Sequence, residues 1–204
     1  MGKIRKMVNA FIDASVLADW IIVKLDYKSK KRDSQVILNY KSRNHRAYCS
    51  YQIIENIRTK IQDYNFYVSH LSLMEVISVI FEKYIIDEMT RNSISLKYFW
   101  KYRNDIKLPD EVIREIYKEI RSFYKVFISK NKIRLTNELN HNQCKHLICR
   151  YNLQTHDAIL LSEAYFVNCE YFLTNDHHLI QSIRKFNKMY LIKPETFCLK
   201  LKIV

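Results

Sequence analysis

Four acidic residues of the chain lie beside apolar runs, where a carboxylate is costly to bury without a partner. They are Asp13, Glu75, Asp157 and Asp176. Carboxylates that share one crevice repel one another and need cations to lie close together. Hard divalent ions such as Mg²⁺ and Mn²⁺ take oxygen ligands of this kind, and two such ions can activate water and stabilise the leaving oxygen of a phosphodiester. These residue types therefore favour metal-assisted hydrolysis of a phosphodiester bond.

The sequence around each acid also allows a purely structural interpretation. Asp13 or Ser15 can cap a helix that begins at Val16, and Glu75 can close a capping box with Ser72. The two later acids fit the same scheme, one as a first-turn acid and the other as an N-cap. Both interpretations stay open for each acid taken alone, and convergence of the four in one crevice would favour the metal site.

The elements that would bring these acids together alternate along the chain. Apolar runs predict strands that end before Asp13, at Ser69, at Thr174 and at Ile192, while 133–136 fits a short strand or the start of a helix. Apolar residues at helical spacing fill the segments between them. Such alternation is typical of an α/β fold with a parallel sheet, which gathers its ligands at the carboxyl ends of its strands.

The composition bounds the fold and excludes two large classes of enzyme. A hydrophobic fraction of 48% over 204 residues is enough for one domain with a sizeable core. The only glycine is Gly2, so the chain lacks the glycines that a P-loop or a dinucleotide fingerprint needs after a strand. With glycine absent, we expect left-handed asparagines at helix ends, at Asn152, Asn168 and Asn187.

The formal net charge of +13 indicates a polyanionic partner, most simply nucleic acid. Nearly half of this charge lies in 24–46, where eight cations face two acids. The cations that we predict to bind nucleic acid are Lys28, Lys30, Lys31, Arg32, Arg43 and Arg46. The segment is interpreted either as a basic flap over a nucleic-acid groove or as a solvated, mobile insertion. A coding bias towards Lys, Asn, Ile and Tyr would also raise the charge.

Signals for a membrane or for secretion are absent from the pattern. No stretch approaches the roughly eighteen apolar residues of a transmembrane helix, so we expect no membrane association. The basic stretch 1–6 is followed by an apolar run that Asn9 and Asp13 interrupt, which argues against a secretory signal. Five cysteines without paired spacing indicate a reducing compartment, so we expect a cytoplasmic protein.

Four short motifs resemble the motif series of PIN-domain ribonucleases, in the same order along the chain. They are Phe11-Ile12-Asp13-Ala14-Ser15, Leu73-Met74-Glu75-Val76, His156-Asp157-Ala158-Ile159 and Leu173-Thr174-Asn175-Asp176. The resemblance implies a Rossmann-like PIN domain, with a central parallel sheet flanked by helices and with helical insertions, and a Mg²⁺- or Mn²⁺-dependent endoribonuclease that acts on RNA. By position, the four acids would be the catalytic metal ligands, with Asp13 as the central one. Ser15 and Thr174 would be supporting hydroxyls, and helix capping would be a secondary role of Ser15.

VapC-type toxins are the most populous members of this family, and a toxin would imply a homodimer and an antitoxin whose basic segment occupies the acidic pocket. The chain departs from compact toxins, because Asp13 and Glu75 lie 62 residues apart and 91–130 is enlarged. We therefore expect a single domain over 1–204, with a basic insertion at about 24–48 and an enlarged helical region at about 91–130. A family nuclease of RNA processing or decay fits as well, and a non-catalytic nucleic-acid-binding or scaffold protein that keeps the fold is the rival interpretation.

Overall fold

The structure, a computed structural model, describes residues 7–203, in which strands and helices alternate. Six strands are present in this range: β1 (Val8–Ile12), β2 (Tyr64–Ser69), β3 (Ile133–Thr136), β4 (Tyr171–Leu173), β5 (Lys185–Phe186) and β6 (Met189–Ile192). The strand at 133–136 settles the choice that the sequence left open there. The basic stretch 1–6 lies outside the described residues.

Ten α-helices of the same range connect and flank these strands. They are α1 (Ala14–Ser29), α2 (Ser34–Arg43), α3 (His45–Ile57), α4 (His70–Arg91), α5 (Phe99–Asp105), α6 (Asp110–Phe123), α7 (His141–Tyr151), α8 (Thr155–Phe166), α9 (His177–Ser182) and α10 (Pro194–Leu201). Asn152, Asn168 and Asn187 each have a φ of 52°. The prediction of left-handed asparagines at helix ends is confirmed for Asn152 and Asn168, whereas Asn187 lies in the turn between β5 and β6. None of the helices within 7–203 is both long and apolar enough to cross a membrane.

The strands form one sheet in the order β3-β2-β1-β4-β6-β5. All neighbouring pairs are parallel except β5 and β6, which form an antiparallel hairpin. In the centre, Phe11 of β1 pairs with Tyr67 of β2 on one side and with Phe172 of β4 on the other. The predicted α/β class, with a mostly parallel sheet flanked by helices, is confirmed. The strand order reverses between β1 and β4, which is where open α/β sheets bind ligands.

Apolar helices cover both faces of the sheet. Ala10 and Ile12 of β1 face a core built with α1, α3, α4 and α6, while Phe11 faces a second core built with α7 and α8. This alternation follows from the two-residue period of a strand. Trp20 is fully buried in the first core, where its ring lies 5.6 Å from that of Phe123. Because β1 is packed on both faces, the residue that follows it has a fixed position.

The basic insertion is helical and packed against the rest of the domain. It consists of the end of α1, then α2, then the start of α3, with Val36 and Ala47 buried. Lys24 and Lys28 both contact Glu119 of α6, whose side chain is fully buried, and Lys24 Nζ lies 3.2 Å from Glu119 Oε2. A buried carboxylate requires such partners. Two cations of the insertion therefore join α1 to the enlarged region at 91–130.

Candidate active site

Asp13 directly follows β1 and stands at the carboxyl edge of the sheet. Its backbone N–H donates to the Leu173 carbonyl of β4 at 3.0 Å, which holds it where the strand order reverses. Its side chain is the N-cap of α1, because Oδ1 accepts the Ala14 N–H at 2.7 Å. The prediction that capping passes to Ser15 is therefore wrong. Asp13 is only 8% exposed, and it caps the helix while it also faces the cavity described below.

Two hydroxyl groups hold the second carboxylate oxygen of Asp13. Ser15 Oγ donates to Asp13 Oδ2 at 2.6 Å, and Thr174 Oγ1 donates to it at 2.7 Å. The Ser15 hydroxyl oxygen in turn accepts the Asn175 N–H at 2.9 Å, and the Thr174 hydroxyl oxygen accepts the Asp176 N–H at 2.9 Å. Ser15 and Thr174 therefore orient the Asp13 carboxylate and join the start of α1 to the segment after β4.

Asp176 and Asp157 both lie at helix starts. Asp176 is the N-cap of α9, with its Oδ1 accepting the Leu179 N–H at 2.9 Å. Asp157 lies in the first turn of α8, and its Oδ1 is 3.2 Å from His156 Nε2. Each thus fits the structural interpretation that the sequence allowed. A structural role at a helix start does not exclude a role in metal binding, because a carboxylate has more lone pairs than one capping hydrogen bond uses.

Glu75 lies in the second turn of α4 and has no capping role. The N-cap of this helix is Ser69, whose Oγ accepts the Leu71 N–H at 3.0 Å. The capping box of Glu75 with Ser72 does not form, and the Ser72 hydroxyl is buried without a hydrogen-bond partner among the described residues. The structural interpretation of Glu75 is therefore wrong, and its half-buried carboxylate needs another explanation.

The four acids line one cavity of about 350 Å³ at the carboxyl edge of the sheet. Its lining consists of Asp13, Ala14, Ser15, Glu75, Ser78, Val79, Glu82, His156, Asp157 and Asp176. The acids come from four separate segments, namely the ends of β1 and β4 and the starts of α4 and α8. We refer to this space as the acidic cavity. Its position matches the crevice in which open α/β sheets bind ligands.

Burial disfavours the ionised form of three of these carboxyls, and repulsion from neighbouring carboxylates adds to the effect for two of them. Burial raises the pKa of Glu75 to about 6, with His156 opposing the change and Asp13 and Asp157 adding to it. Burial likewise raises the pKa of Asp157 to about 6, with His156 opposing and Asp176 and Asp13 adding. Burial also raises the pKa of Asp13, against hydroxyl and backbone hydrogen bonds that lower it. Neighbouring carboxylates of the cavity are thus close enough to add to the raised pKa values of Glu75 and Asp157.

The donor atoms of the acidic cavity suit a hard divalent cation, because five of its ten lining residues carry a carboxylate. Within residues 7–203, no three His, Cys, Asp or Glu side chains are arranged so that they could hold a metal ion by themselves. Mg²⁺ does not need such a cage, because it usually keeps several waters and binds one or two carboxylates together with substrate phosphates. The donor types present therefore fit a hydrated Mg²⁺ or Mn²⁺ ion, and ligation of such an ion by the four acids stays a prediction.

Asp19 is a buried acid beside the site that the sequence does not single out. A solvated position is the default for an acid within a helix, yet Asp19 is only 3% exposed. It contacts Lys83 of α4, and its Oδ2 lies 3.5 Å from Arg46 Nε and accepts from Asn175 Nδ2 at 2.6 Å. Asp19 lies one turn after Ser15 on the same face of α1. The paired Asp19 carboxylate thus helps to hold the segment that contacts the Ser15 hydroxyl.

Glu82 is a second acid that sequence reasoning missed. It follows Glu75 by seven residues on α4, which places both on one face of the helix, and it lines the acidic cavity. Its side chain is 45% exposed, and its Oε1 lies 3.8 Å from Arg103 Nη2 of α5. Glu82 therefore marks the rim of the cavity on the side of the enlarged helical region.

The six cations predicted to bind nucleic acid lie outside the lining of the acidic cavity. Lys28 contacts Glu119, and Arg46 pairs with Asp19. All six are exposed. Lys28 lies near the end of α1, Arg46 lies in the first turn of α3, and the other four follow α1 or end α2: Lys30, Lys31, Arg32 and Arg43. Since α1 rises by about 22 Å along its length, the turn that follows it is remote from Asp13. The binding of nucleic acid by these six cations stays a prediction. For Lys30, Lys31 and Arg32 it concerns a surface away from the cavity, whereas Arg46 contacts Asp19 beside the site.

The raised pKa values predict that the metal-free protein loses stability as the pH rises. The pKa values of Glu75 and Asp157 are about 6 in the folded state, above their ordinary values of 4.5 and 3.8. Between the ordinary pKa values and pH 6, the folded state binds more protons than the unfolded state, so protonation of these two carboxyls stabilises the fold. This stabilisation is lost as the pH rises through 6 and the carboxyls lose their protons. We expect the Tm in chelator to fall from pH 5 to pH 7.5.

The Asp157→Asn variant is the control for this pH dependence. Other carboxyl groups with a raised pKa, such as Glu163 with a pKa of about 7, also contribute to the slope of Tm against pH in the parent protein. The difference in slope between parent and variant isolates the cavity, and the variant should have the shallower slope. Identical slopes at constant ionic strength would contradict the electrostatic description of Asp157.

Comparisons with known proteins give little beyond the geometry. No family model matches the chain, and no curated protein matches it. Among solved structures, the chain is similar to one described as the crystal structure of PAE2754 from Pyrobaculum aerophilum. That similarity covers 98% of each chain, with 13% sequence identity and a TM-score of 0.47.

Proposed function

We propose that the protein is a Mg²⁺- or Mn²⁺-dependent endoribonuclease of the PIN type. The observation that carries the proposal is the shared cavity of Asp13, Glu75, Asp157 and Asp176 at the place where the strand order reverses. Four carboxylates in one cavity are unfavourable for stability, as the raised pKa values indicate. A function that needs a bound divalent cation would explain why four carboxylates share this cavity.

Asp13 would be the central ligand of the ion, because it is the most rigidly held of the four. The Ser15 and Thr174 hydroxyls fix its Oδ2, and the Ala14 N–H fixes its Oδ1. When bound, a divalent ion would supply charge neutralisation for a phosphodiester and a lowered pKa for a coordinated water. The protein's part is to hold the carboxylates at the edge of the sheet and to orient them before substrate arrives.

The remaining residues of the cavity would divide the work of binding and proton transfer. Glu75 and Asp157, with pKa values of about 6, are ionised at pH 7.5 and able to take up a proton at slightly lower pH. His156 lies 3.2 Å from Asp157 at the edge of the cavity and is exposed enough to meet a phosphate. The net charge of +13 would attract RNA towards an otherwise acidic site.

The test is incubation of the purified protein with labelled single-stranded RNA in Mg²⁺, in Mn²⁺ and in a chelator. We expect internal cleavage in at least one metal and none in the chelator. Cleavage that survives chelation would contradict the mechanism. Binding of RNA without cleavage in any metal would instead favour the non-catalytic alternative, a nucleic-acid-binding or scaffold protein with this fold.

A toxin and an RNA-processing enzyme would share this chemistry and differ in their partners. The toxin would be favoured by an adjoining reading frame that encodes a small DNA-binding protein, if that protein co-purifies with this chain and blocks cleavage. A homodimer would also favour the toxin. Cleavage confined to a structured precursor RNA, with no such partner, would favour a role in processing or decay.

A further inference from the structure

The surface around α5 carries exposed aromatic side chains. A 3₁₀ turn over Leu96–Tyr98 leads into α5, and this short segment has three large side chains in solvent. Leu96, Tyr98 and Trp100 are 56%, 49% and 69% exposed. A tryptophan so exposed is unusual, because its ring carries a large apolar area that folding normally removes from water.

The exposed tryptophan is connected to the acidic cavity through one arginine. The Arg103 guanidinium lies 5.6 Å from the Trp100 ring. On its other side, Arg103 Nη2 lies 3.8 Å from Oε1 of Glu82, which lines the cavity. The series Trp100, Arg103 and Glu82 thus leads from solvent to the rim of the cavity. A ligand that lies on Trp100 is therefore connected to the rim of the cavity through Arg103 and Glu82.

The charge of this surface is positive, in contrast to that of the cavity. Lys97, Lys101 and Arg103 lie within 96–105, where the only acid is Asp105 at the end of α5. Lys97 Nζ lies 4.9 Å from the centre of the Tyr98 ring, so cations and aromatic rings alternate here. The cores of protein interfaces are depleted in lysine, whereas single-stranded nucleic acid binds where aromatic rings accept bases and cations accept phosphates.

We propose that Trp100 and Arg103 form a platform on which an unpaired base of single-stranded RNA stacks, beside the acidic cavity. This inference rests on the proposed function and names its substrate class. The base would lie on the open face of the Trp100 ring, and Arg103, oriented by Glu82, would contact the neighbouring phosphate. Bases of a duplex are stacked inside the helix and cannot occupy the platform, so the preferred substrate is single-stranded.

Tryptophan fluorescence tests the platform directly. The chain has two tryptophans, and Trp20 is fully buried, so quenching by a ligand that stacks on the surface reports Trp100. The experiment uses the full chain with Asp13→Asn, in chelator and low salt, titrated with a single-stranded RNA of about twelve nucleotides. We expect saturable quenching, and weaker binding of a blunt RNA duplex of the same length.

Substitutions then separate stacking from general attraction to RNA. These variants lack the Trp100 reporter, so their binding is followed by the anisotropy of an end-labelled RNA. Trp100→Ala should weaken binding of single-stranded RNA by about 5- to 100-fold, and Trp100→Phe should retain most of the affinity. The matched control is Phe166→Ala, since Phe166 is 53% exposed but ends α8 at the opposite edge of the sheet. This control should bind like the parent. Circular dichroism and thermal denaturation confirm that each variant is folded.

Three results would overturn the proposal. One is the absence of RNA binding by the parent, and another is equal affinity of Trp100→Ala and Phe166→Ala. The third is quenching that depends on the protein concentration and not on the RNA concentration, together with a dimer in analytical ultracentrifugation. The surface of Trp100 would then be an interface between two copies of the chain. Failure of the proposed function is a separate outcome, because Trp100-dependent binding without cleavage by the unmodified chain would leave the platform intact.

Discussion

Asp13→Asn should lower the rate of RNA cleavage by about 1,000-fold or more, because it removes the negative charge of the carboxylate that we propose as the central metal ligand. The Asp13 carboxylate accepts hydrogen bonds from Ala14, Ser15 and Thr174, which fix its orientation at the edge of the cavity. Asparagine is also a good N-cap, so α1 should form normally and the variant should fold. Single-turnover cleavage at saturating metal, with circular dichroism as the check on folding, measures the effect.

Asp26→Asn is the matched control for this substitution. Asp26 lies on the same helix but near its other end, where its Oδ2 accepts from the Tyr40 hydroxyl at 3.0 Å. The control should cleave at nearly the parent rate. An Asp13→Asn variant that is folded and cleaves as fast as Asp26→Asn would remove Asp13 from the reaction.

Removal of a different charge from the cavity should stabilise the metal-free protein. In chelator at pH 7.5, Glu75→Gln and Asp157→Asn each relieve repulsion among half-buried carboxylates, and we expect a gain of about 1 kcal/mol, or roughly 2–4 °C in Tm. With Mn²⁺ at a hundred times its Kd, the parent should gain about 2.7 kcal/mol and the variants much less. The order of stability should therefore reverse when the metal is added.

The control for this reversal is Glu163→Gln. Glu163 is a buried carboxyl of α8, with its Oε1 accepting from Ser69 Oγ at 3.0 Å, and it does not line the acidic cavity. This variant should keep the full stabilisation by Mn²⁺. Thermal denaturation of all four proteins in chelator and in Mn²⁺ makes the comparison. Parallel shifts with metal in every variant would show that Mn²⁺ binds elsewhere.

The sheet could be predicted from the sequence because its signals are local. Four strands are apolar runs bounded by polar residues, namely β1, β2, β4 and β6. Such runs can be recognised from the local sequence alone. The hairpin strand β5 has two residues and no period to detect. The helix α10 begins at Pro194, which ends the preceding strand and also suits the first turn of a helix, so this residue predicts two different structures.

The basic insertion could not be predicted, because its structure depends on partners far away in the sequence. Lys28 lies 91 residues from Glu119, and nothing near Lys28 indicates that a buried carboxylate will meet it. A run of cations therefore resembled a flap or a solvated insertion, whereas tertiary pairing makes part of it an extension of α1. Arg46 likewise contacts Asp19, an acid that its own neighbours would leave in solvent.

The site was predictable where its residues have a local reason to stand out. Asp13 and Asp176 follow strands, and Glu75 interrupts an apolar stretch, so each is conspicuous in the sequence. Glu82 was also within reach, since it repeats the face of Glu75 two helical turns later. The burial of Asp19 could not be predicted, because it depends on two cations and an amide from three distant segments.

The most direct test of the central claim is a Mn²⁺ titration of the full chain, followed by electron paramagnetic resonance of the free ion. We expect saturable binding at pH 7.5 that weakens at pH 5.5, where Glu75 and Asp157 take up protons. Asp13→Asn should abolish this binding, and Asp26→Asn should preserve it. Mn²⁺ binding that is absent from the parent, or unchanged in folded Asp13→Asn, would contradict the assignment of the acidic cavity as a metal site.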